Sequence, residues 1–355
     1  MATGVSIVIP SWNGLELLKR FLPSVIAAAN QYSTQFDAPT EIIVVDDAST
    51  DATAQALLAL GFEGAKRLDA DDEELILSLM VNKTNLGFGP TCNRGIDAAS
   101  HPLVFLVNND VEVEVNSIAP LVENFADAAV FAAHSRVFDL ESGLEVGTGK
   151  LGTFSRGFIR VHRSYVLPQP AADLVGSERY SMFASGGSSM FDRQKFLDIG
   201  GFDELLAPSY WEDVDISYRA WKRGLSIVYE PRSAVRHRVS STMRKVNQRK
   251  LRRLQQRNRL IYHWVNLHDG WLFASHIVWV VLLSVSAPLR LQLGFLSSVF
   301  AALKRLSLIR KRRIEEKHAA RRSDREVFEI FKLLESRTNV LAYDDRAFTP
   351  REPLP

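Results

Sequence analysis

Two short apolar runs that end in polar and acidic residues constrain the fold of this chain more than any other feature. Ile42-Ile43-Val44-Val45 is followed at once by Asp46 and Asp47, and the run 103–107 is followed by Asn108, Asn109 and Asp110. Short β-rich apolar runs bounded by turn residues predict buried strands. Because ligands of open α/β sheets collect outside the carboxyl ends of strands, these two strand ends predict a polar binding site.

A third acidic cluster lies in the second half of the chain. Trp211 is followed by Glu212, Asp213 and Asp215, so three carboxylates stand beside aromatic residues. One acid-terminated strand alone is weak evidence for a site. Two such strands followed by this cluster indicate an enzyme that handles a charged, metal-bound substrate.

Strand-like and helix-like segments alternate over the first two thirds of the chain. The pattern predicts strands at 5–10, 41–45, 75–81, 103–107, 183–191 and 225–229, and helices at 15–25, 51–60, 91–99, 193–199 and 215–223. We expect Ser49 or Asp51 to cap the second helix. Residues 140–180 lack clear periodicity and have β-hairpin character. This alternation predicts an α/β protein with a mostly parallel, Rossmann-like sheet and helices on both faces.

Charge and hydropathy divide the chain into an acidic body and a basic C-terminal part. Residues 232–259 carry eleven lysines and arginines and no acid, and residues 304–325 carry ten against three acids. Between these runs lie two apolar stretches, 271–289 and 291–306. A long apolar separation favours a membrane surface over a nucleic-acid groove, so no nucleic-acid partner is expected.

The apolar pair has two interpretations. The stretch 271–289 has no Lys, Arg, Asp or Glu, and its length falls within the roughly 17–25 residues that cross a bilayer. The two stretches therefore either cross as a hairpin or lie in the interface as amphipathic helices, and we favour the interfacial arrangement. We expect a charged helix over 310–335 and a loose tail from 338. A single cysteine and an N-terminus without a basic-apolar leader favour a reducing compartment.

The order and spacing of the motifs resemble inverting family 2 glycosyltransferases of GT-A fold, especially bacterial rhamnosyltransferase-like and galactofuranosyltransferase-like members. The similar segments are 5–13, 44–51, 85–88, 93–96, 108–110, 200–204 and 211–215, together with Arg219, Gly224 and His237. Asn108 departs from the family's Asp-x-Asp pattern, because it stands where the first acid would be. The resemblance extends over residues 5–237 and implies a catalytic domain at 1–240. The charge and hydropathy pattern predicts a helical membrane-associating region at 241–337 and a tail at 338–355.

The resemblance also implies roles for particular residues. Nucleotide-sugar binding is expected at Pro10, Asn13, Asp46, Asp47, Asn85, Asn93, Asn108 and Asn109. Asp46 and Asp47 have an alternative role as turn or cap acids. Asp110 and His237 are expected to hold Mn²⁺ or Mg²⁺, with Asn108 as an outer ligand, because hard cations prefer oxygen donors.

The acidic cluster supplies the expected catalytic base. Asp213 is our choice, because Tyr210 and Trp211 beside it can desolvate the carboxylate and raise its pKa towards neutrality. Glu212 and Asp215 are its competitors, and we expect Asp215 to cap the following helix. Gly187, Trp211 and Glu212 are candidates for contact with the acceptor or the sugar, although Trp211 has an equally good interpretation as a core aromatic residue.

The expected function is transfer of a sugar from a UDP- or dTDP-sugar to a hydroxyl of a lipid-linked glycan, at the cytoplasmic face of the cell membrane, in cell-surface polysaccharide synthesis. A sugar-nucleotidyltransferase is a second interpretation. It would need a cationic, glycine-rich loop after the first strand, and Ser11-Trp12-Asn13-Gly14 contains no cation. A non-catalytic membrane scaffold is a third, and the acids at positions 46, 110 and 213 disfavour it.

Overall fold

The structure is a computed structural model that describes residues 3–64, 75–167, 178–237, 247–289 and 291–344. Its strands are β1 Val5–Ser11, β2 Thr40–Asp46, β3 Glu63–Gly64, β4 Ile76–Val81, β5 Leu103–Val107, β6 Val111–Val113, β7 Val130–Asp139, β8 Glu145–Gly147, β9 Gly149–Ser155, β10 Phe158–Val166, β11 Ser188–Asp192, β12 Ser226–His237 and β13 Leu341–Asp344. Its α-helices are α1 Leu15–Phe36, α2 Thr53–Ala59, α3 Phe88–Ala98, α4 Ile118–Glu123, α5 Arg193–Ile199, α6 Glu212–Lys222, α7 Gln248–Asn266, α8 Gly270–Ser286, α9 Leu293–Leu303, α10 Leu306–Ala319 and α11 Asp324–Glu335.

Within the described residues, the strands form one ten-stranded sheet and one three-stranded sheet. The large sheet has the order β3-β4-β2-β1-β5-β11-β7-β12-β6, with β8 added to β7. Pairing is parallel from β3 to β5, antiparallel on both sides of β11, and parallel again between β7 and β12. The predicted α/β architecture is confirmed, and the sheet is mixed because β11 enters it in the opposite direction.

The parallel half of the sheet carries the strand ends, and its central strands are buried. Every residue of β1, β2 and β5 is buried, as expected for strands covered by helices on both faces. Helix α1 packs on one face, and α3 packs on the other. Gly95 lets α3 approach closely, since a Cβ at this position would lie 2.5 Å from Val8 Cγ1.

Several predicted elements begin or end elsewhere than expected. Helix α2 begins at Thr53, so Ala52 stands at the N-cap position instead of Ser49 or Asp51, although Asp51 Oδ1 accepts a hydrogen bond from the Thr53 N–H at 3.1 Å. Strand β11 is shorter than predicted, because Gly186 and Gly187 lie in the loop before it. Strand β12 is longer than predicted, because its second half pairs with β6 and β7.

The segment 140–180, which lacks clear periodicity in the sequence, contains the predicted β-hairpin in its described part. Strands β9 and β10 pair antiparallel around a tight turn, in which Ser155 pairs with Phe158. The tail expected to be loose instead supplies β13, which pairs antiparallel with β10. The expected helix over 310–335 is two helices, because Ser323 starts α11 with a capping box shared with Glu326.

The C-terminal helices pack on the body instead of forming a separate layer. The boundary expected at residue 240 lies outside the described residues, but the helices on its far side contact α6 directly. Asp324 at the start of α11 accepts hydrogen bonds from Tyr218 Oη at 2.8 Å and from Lys222 Nζ at 2.5 Å. The buried carboxylate of Asp324 therefore joins α11 to α6.

Helix α8 corresponds to the first apolar stretch and spans 17 residues. Among the helices that the structure describes, none combines the length and the apolarity that crossing a membrane requires. Much of the apolar surface of α8 is nevertheless exposed. This exposed apolar surface continues onto residues 289 and 291 and onto α9. The exposed apolar side chains are Trp271, Val278, Val281, Leu282, Val285, Leu289, Leu291, Leu293 and Phe300.

Candidate active site

The carboxyl ends of β2, β1 and β5 meet at one edge of the sheet, as the sequence predicted. The order β2-β1-β5 is parallel throughout, so the residues that follow these strands emerge side by side. Asn109 after β5 donates through Nδ2 to Ser11 Oγ at 2.9 Å. The backbone N–H of Asp47 after β2 donates to the Ser11 carbonyl at 2.7 Å. Ser11 therefore joins the two acid-bearing strand ends.

The loops after β1 and β2 form one wall of this edge. The backbone N–H of Asn13 donates to Ser49 Oγ at 2.8 Å, and its Oδ1 accepts from the Thr50 N–H at 2.7 Å. Ser49 in turn donates from its N–H to Asp46 Oδ2 at 3.2 Å. Pro10 belongs to the same edge, because it pairs with Val45 in the sheet. The nucleotide roles of Pro10, Asn13 and Asp46 stay predictions, and the structure brings these residues together.

Asp47 holds the loop between β4 and α3. Its buried carboxylate accepts from Asn82 Nδ2 at 2.7 Å, from the Leu86 N–H at 2.8 Å and from the Gly87 N–H at 2.9 Å. Three donors satisfy much of the capacity of one carboxylate. Asn85 lies exposed in the same loop. The nucleotide roles of Asp47 and Asn85 stay predictions, while the geometry shows Asp47 positioning this loop.

Asn93 has a structural partner. Its Nδ2 donates to the Phe202 carbonyl and its Oδ1 accepts from the Phe202 N–H, each at 2.8 Å. A side chain on Gly201 would clash here, since a Cβ would lie 2.7 Å from Asn93 Oδ1. Asn93 therefore fastens α3 to the loop before the acidic cluster, and its nucleotide role stays a prediction.

Asp110 and His237 meet although they are far apart in sequence. Residue 237 pairs with Val111 across β12 and β6, which places His237 Nε2 3.1 Å from Asp110 Oδ1. Two ligands at right angles on an ion with bonds of roughly 2.1 Å are about 3 Å apart, so this spacing fits shared coordination. No cluster of three or more His, Cys, Asp or Glu side chains suited to a metal occurs in the part of the chain that the structure describes. These two groups would therefore need substrate oxygens or water to complete a coordination shell.

The Gly186-Gly187 loop connects the strand end at Asn108 with the acidic cluster. The Asn108 N–H donates to the Gly187 carbonyl at 3.1 Å, and a Cβ at Gly187 would lie 2.4 Å from Asn108 Nδ2. A Cβ at Gly186 would lie 3.7 Å from the Asp213 Cβ. Asn108 Oδ1 is buried and has no hydrogen-bond partner. The predicted metal-side asparagine and the predicted base therefore flank the same two glycines.

Burial changes the protonation of the acidic cluster. It raises the pKa of Asp213, although hydrogen bonds from the backbone of Val214 and Gly186 oppose the effect. Burial, and then the charge of Asp213, raise the pKa of Glu212 to about 8. The Oε2 atom of Glu212 is buried without a hydrogen-bond partner. A carboxyl with a raised pKa is a better proton acceptor, which suits a general base.

Asp215 does not cap the helix, contrary to the sequence expectation. Helix α6 begins at Glu212, one turn earlier than predicted, so Asp215 lies inside it. Its carboxylate pairs with Arg219 Nε at 2.8 Å and accepts from Asn266 Nδ2 at 2.7 Å. Burial raises the Asp215 pKa while the Arg219 charge lowers it. Asp215 is therefore a buried structural acid, and its candidacy as the base is disfavoured.

Trp211 lies among aromatic and basic side chains of α7. Its ring is 5.2 Å from that of Tyr262, and the Arg259 guanidinium stands 5.7 Å from its centroid. Tyr210 and Trp211 have φ angles of 78° and 76°, which non-glycine residues adopt rarely. The core interpretation of Trp211 is favoured, and the strained pair orients the start of α6.

The sequence interpretation missed Asn258. This fully buried side chain on α7 points Nδ2 at the carbonyls of Leu206, Ser209 and Tyr210, at 2.5, 2.9 and 2.9 Å. The signal was present in the sequence, because Asn258 falls seven residues after Leu251 and four before Tyr262. An amide side chain at an apolar position of a helix face indicates that the side chain is buried and forms hydrogen bonds there.

The family model described as "Glycosyl transferase family 2" matches residues 6–196, and that described as "Glycosyl transferase family group 2" matches residues 171–309. A poly-beta-1,6-N-acetyl-D-glucosamine synthase of Staphylococcus aureus is 24% identical over 233 residues, which are 64% of this chain and 48% of that protein. The chain thus spans about half the length of this relative. An N-acetylglucosaminyl-diphospho-decaprenol L-rhamnosyltransferase of Mycobacterium tuberculosis is 27% identical over 251 residues, covering 64% of this chain and 74% of that protein.

Solved structures share the fold. GalNAc-T7, crystallised with UDP, GalNAc and Mn²⁺, superposes with a TM-score of 0.56 at 20% identity, over 75% of this chain and 48% of its own. Residues 1–349 of TarS from S. aureus, in complex with UDP-GlcNAc, superpose with a TM-score of 0.51 at 14% identity, over 94% of this chain and 90% of that one.

Proposed function

Because the chain belongs to glycosyl transferase family 2, whose model covers more than half of it, we propose that it transfers a sugar from a nucleotide-sugar donor to a hydroxyl of a lipid-linked glycan, with inversion at the anomeric carbon. One observation carries the proposal. The backbone of the Gly186-Gly187 loop packs against Asn108 on one side and approaches Asp213 on the other, since a Cβ would lie 2.4 Å from Asn108 Nδ2 at Gly187 and 3.7 Å from Asp213 Cβ at Gly186. The proposed base and the strand end at which a diphosphate would bind therefore adjoin the same loop.

The donor occupies the edge formed by the ends of β1, β2 and β5. Asp46 accepts hydrogen bonds from the pyrimidine or the ribose, and the loop held by Asn13 closes over it. The hydrogen bonds that tie the two loops together fix this wall before the donor binds. Preorganised donors and acceptors lower the cost of binding.

Asp110 and His237 would hold a divalent cation in the presence of the donor diphosphate. Their spacing and their chemistry fit one ion, and carboxylate and imidazole together favour Mn²⁺ over Mg²⁺. When bound, the ion offsets the negative charge that develops on the diphosphate. Asn108, whose Oδ1 is buried and unpartnered, is placed to hold a water or a sugar hydroxyl beside it.

Asp213 performs the proton transfer. Its carboxylate removes the proton from the acceptor hydroxyl while that oxygen attacks the anomeric carbon from the face opposite the diphosphate. The new carbon–oxygen bond forms as the bond to the diphosphate breaks, and the diphosphate leaves with the electron pair. Glu212, whose raised pKa keeps it protonated near neutral pH, donates a hydrogen bond to a sugar hydroxyl.

The exposed apolar face of α8 and α9 holds the enzyme on the membrane that contains its acceptor. Val278, Val281 and Val285 are each more than half exposed. Basic side chains at Arg252, Arg253, Lys304 and Arg310 are exposed on the adjoining helices. Anionic lipid attracts each surface cation by roughly 1 kcal/mol, so burial and charge act together. The relative from M. tuberculosis has a lipid diphosphate in its printed name, which supports an acceptor of this type.

Release of nucleotide diphosphate from a panel of UDP-, dTDP- and GDP-sugars tests the activity. The purified protein, with and without Mn²⁺, should hydrolyse one donor slowly in the absence of acceptor, and chelation should stop the reaction. If no donor in the panel is hydrolysed or bound with metal, the proposed transfer is wrong. Asp213→Asn serves as the control variant, because it keeps the size of the side chain and removes the proposed base.

Sedimentation with vesicles tests the membrane surface. Val281→Glu with Val285→Glu should abolish binding to vesicles that contain phosphatidylglycerol. The control is Leu58→Glu with Leu60→Glu, which adds the same charge to equally exposed apolar positions near α2. If the α8 variant binds as the parent does, or the parent ignores the vesicles, this face does not contact lipid.

A further inference from the structure

Phe88 lies in the segment 85–88, and its side chain has no part in the donor edge, the metal pair or the base described above. It is the first residue of α3 and is half-buried. Gly87 before it has a φ of 88°, and a Cβ there would lie 2.5 Å from the Pro208 carbonyl oxygen. The Phe88 N–H donates to that carbonyl at 2.7 Å. The close contact between Gly87 and Pro208 therefore fixes the position of Phe88.

The ring of Phe88 lies against Gly186, beside the proposed base. A Cβ at Gly186 would lie 3.1 Å from Phe88 Cε1 and 3.3 Å from Phe88 Cζ. The same Cβ would lie 3.7 Å from Asp213 Cβ, and the backbone of Gly186 is hydrogen-bonded to the Asp213 carboxylate. The aromatic ring and the carboxylate therefore border one glycine.

The Phe88 ring is packed on its inner side and accessible elsewhere. The centroid of the Phe202 ring lies 6.2 Å from that of Phe88, and the two planes are inclined at 43°. Phe202 belongs to the hydrophobic core, and Phe88 packs against this core from outside. The accessible part of Phe88 therefore lies outside the core.

Phe88 stands between the donor edge and the base. Asp47, which follows β2, accepts hydrogen bonds from the N–H groups of the two residues before Phe88, at 2.8 and 2.9 Å. On the other side, the ring adjoins Gly186 and, across it, Asp213. In an inverting transfer the sugar lies between the leaving diphosphate and the acceptor oxygen that the base activates. A sugar in that position lies beside Phe88.

Two buried polar atoms border the residues next to this ring. A Cβ at Gly187 would lie 2.4 Å from Asn108 Nδ2, and a Cβ at Gly89 would lie 3.9 Å from Glu212 Cβ. Asn108 Oδ1 and Glu212 Oε2 have no hydrogen-bond partner among the described residues. An apolar ring with unpartnered polar atoms around it is the combination that a small polar ligand needs.

We propose that the transferred sugar stacks on the ring of Phe88, which makes this residue a determinant of donor-sugar specificity. The inference rests on the proposed function and adds to it the contact that recognises the sugar. A pyranose presents C–H groups on one face and hydroxyls around its rim. The C–H face packs on the aromatic ring, and the hydroxyls take the polar partners.

Paired binding measurements isolate the contact with the sugar. Calorimetry with Mn²⁺ gives the dissociation constants of a nucleotide sugar and of its nucleoside diphosphate, with UDP-glucose and UDP, dTDP-glucose and dTDP, and GDP-mannose and GDP as the pairs. The pair whose nucleotide sugar binds the parent most tightly is used for the variants. Because the nucleoside diphosphate lacks the sugar, loss of a contact with the sugar changes only one of the two constants.

Phe88→Leu keeps an apolar side chain and removes the flat ring. It should raise the dissociation constant of the nucleotide sugar by about three- to tenfold, the effect of losing one aromatic contact. The constant of the nucleoside diphosphate should change by less than about twofold. Gly186→Ala retains the ring but displaces it, because the new Cβ would lie 3.1 Å from Phe88 Cε1. This second variant should show the same selective loss.

Phe154→Leu is the matched control. Phe154 on β9 is half-buried and packs against the same core, and its ring lies 6.2 Å from that of Phe328 at an angle of 37°. The substitution removes an equivalent ring from the three-stranded sheet, so both dissociation constants should stay within about twofold of the parent values. Urea unfolding of each variant identifies the conditions in which it is folded.

The outcomes separate this inference from the proposed function. If folded Phe88→Leu loses both affinities equally, or neither, the sugar does not stack on this ring, even when the parent hydrolyses the donor. If Phe154→Leu shows the same selective loss, the effect comes from the shared core and the contact is likewise refuted. If the parent neither binds nor hydrolyses any donor, both proposals are wrong.

Discussion

Replacing Asn258 with alanine tests whether α7 positions the catalytic helix. The amide of Asn258 has two N–H groups, and three backbone carbonyls of the segment 206–210 surround it at 2.5–2.9 Å. Two full hydrogen bonds are therefore lost on substitution. An unsatisfied buried carbonyl costs about 1–3 kcal/mol, so the free energy of unfolding should fall by about 2–6 kcal/mol.

The same substitution should reduce turnover beyond its effect on stability. Tyr210 and Trp211 hold positive φ angles, and such strain persists only where the surroundings enforce it. With the carbonyls released, the start of α6 should relax and Asp213 should shift from the Gly186 loop. Urea unfolding gives the stability, and release of nucleotide diphosphate under conditions where the variant is folded gives kcat and the donor KM. We expect kcat to fall more than KM rises.

Gln256→Ala provides the matched control on the same helix. Its side chain is exposed and accepts a hydrogen bond of 3.4 Å from Ser298 Oγ on α9, so both stability and turnover should stay near the parent values. If Asn258→Ala loses stability but keeps the parental kcat, the positioning role is refuted. If it loses neither, the hydrogen bonds to the three carbonyls do not form.

Three further predictions address individual side chains. Asp110→Ala should abolish the Mn²⁺-dependent binding of nucleotide diphosphate in calorimetry, and undiminished binding would show that Asp110 is not a ligand. Glu212→Gln should remove a pH dependence. Because the folded-state pKa of Glu212 is raised to about 8, its contribution to stability is present at low pH and is lost as pH rises towards 8. The variant should therefore match the parent in urea unfolding at pH 5 and exceed it at pH 8, and parallel curves would contradict this. Asn93→Ala should destabilise the protein by about 1–3 kcal/mol, because the Phe202 backbone loses its partner. Calorimetry on the folded variant then tests the predicted nucleotide role, which requires weakened nucleotide binding and is contradicted by parental affinity.

The local sequence pattern predicted the parallel half of the sheet well. Strands β2 and β5 each contain a short apolar run that is followed by polar residues. The local sequence is therefore enough to predict that they are buried strands and that their carboxyl ends lie at one edge of the sheet. The meeting of Asp110 with His237 was predicted only through family resemblance. No local pattern shows that β12 continues past Tyr229 and pairs its end with β6, because the paired residues are 122 to 126 positions apart in the sequence.

The acidic cluster shows why the role of Asp215 and the pairing of the C-terminal strand were harder to predict. Asp215 has the sequence context of a helix cap, but its partners, Arg219 and Asn266, bury it within α6. The four-residue spacing of Asp215 and Arg219 is visible in the sequence and predicts an ion pair on one helix. The contact between Asp215 and Asn266 depends on how α7 packs against α6 and is not visible in the sequence. Similarly, the tail residues of β13 find a partner only after the β9–β10 hairpin has formed. Tertiary partners decided each of these cases.

Turnover of Asp213→Asn is the most direct test of the central claim that this carboxylate is the catalytic base. The substitution keeps the shape of the half-buried side chain beside Gly186 and removes its ability to accept a proton. Sugar transfer should fall by about 10² or more, while calorimetry should show nucleotide diphosphate binding with Mn²⁺ at the parental affinity. Transfer near the parental rate would contradict the claim and move the base to Glu212.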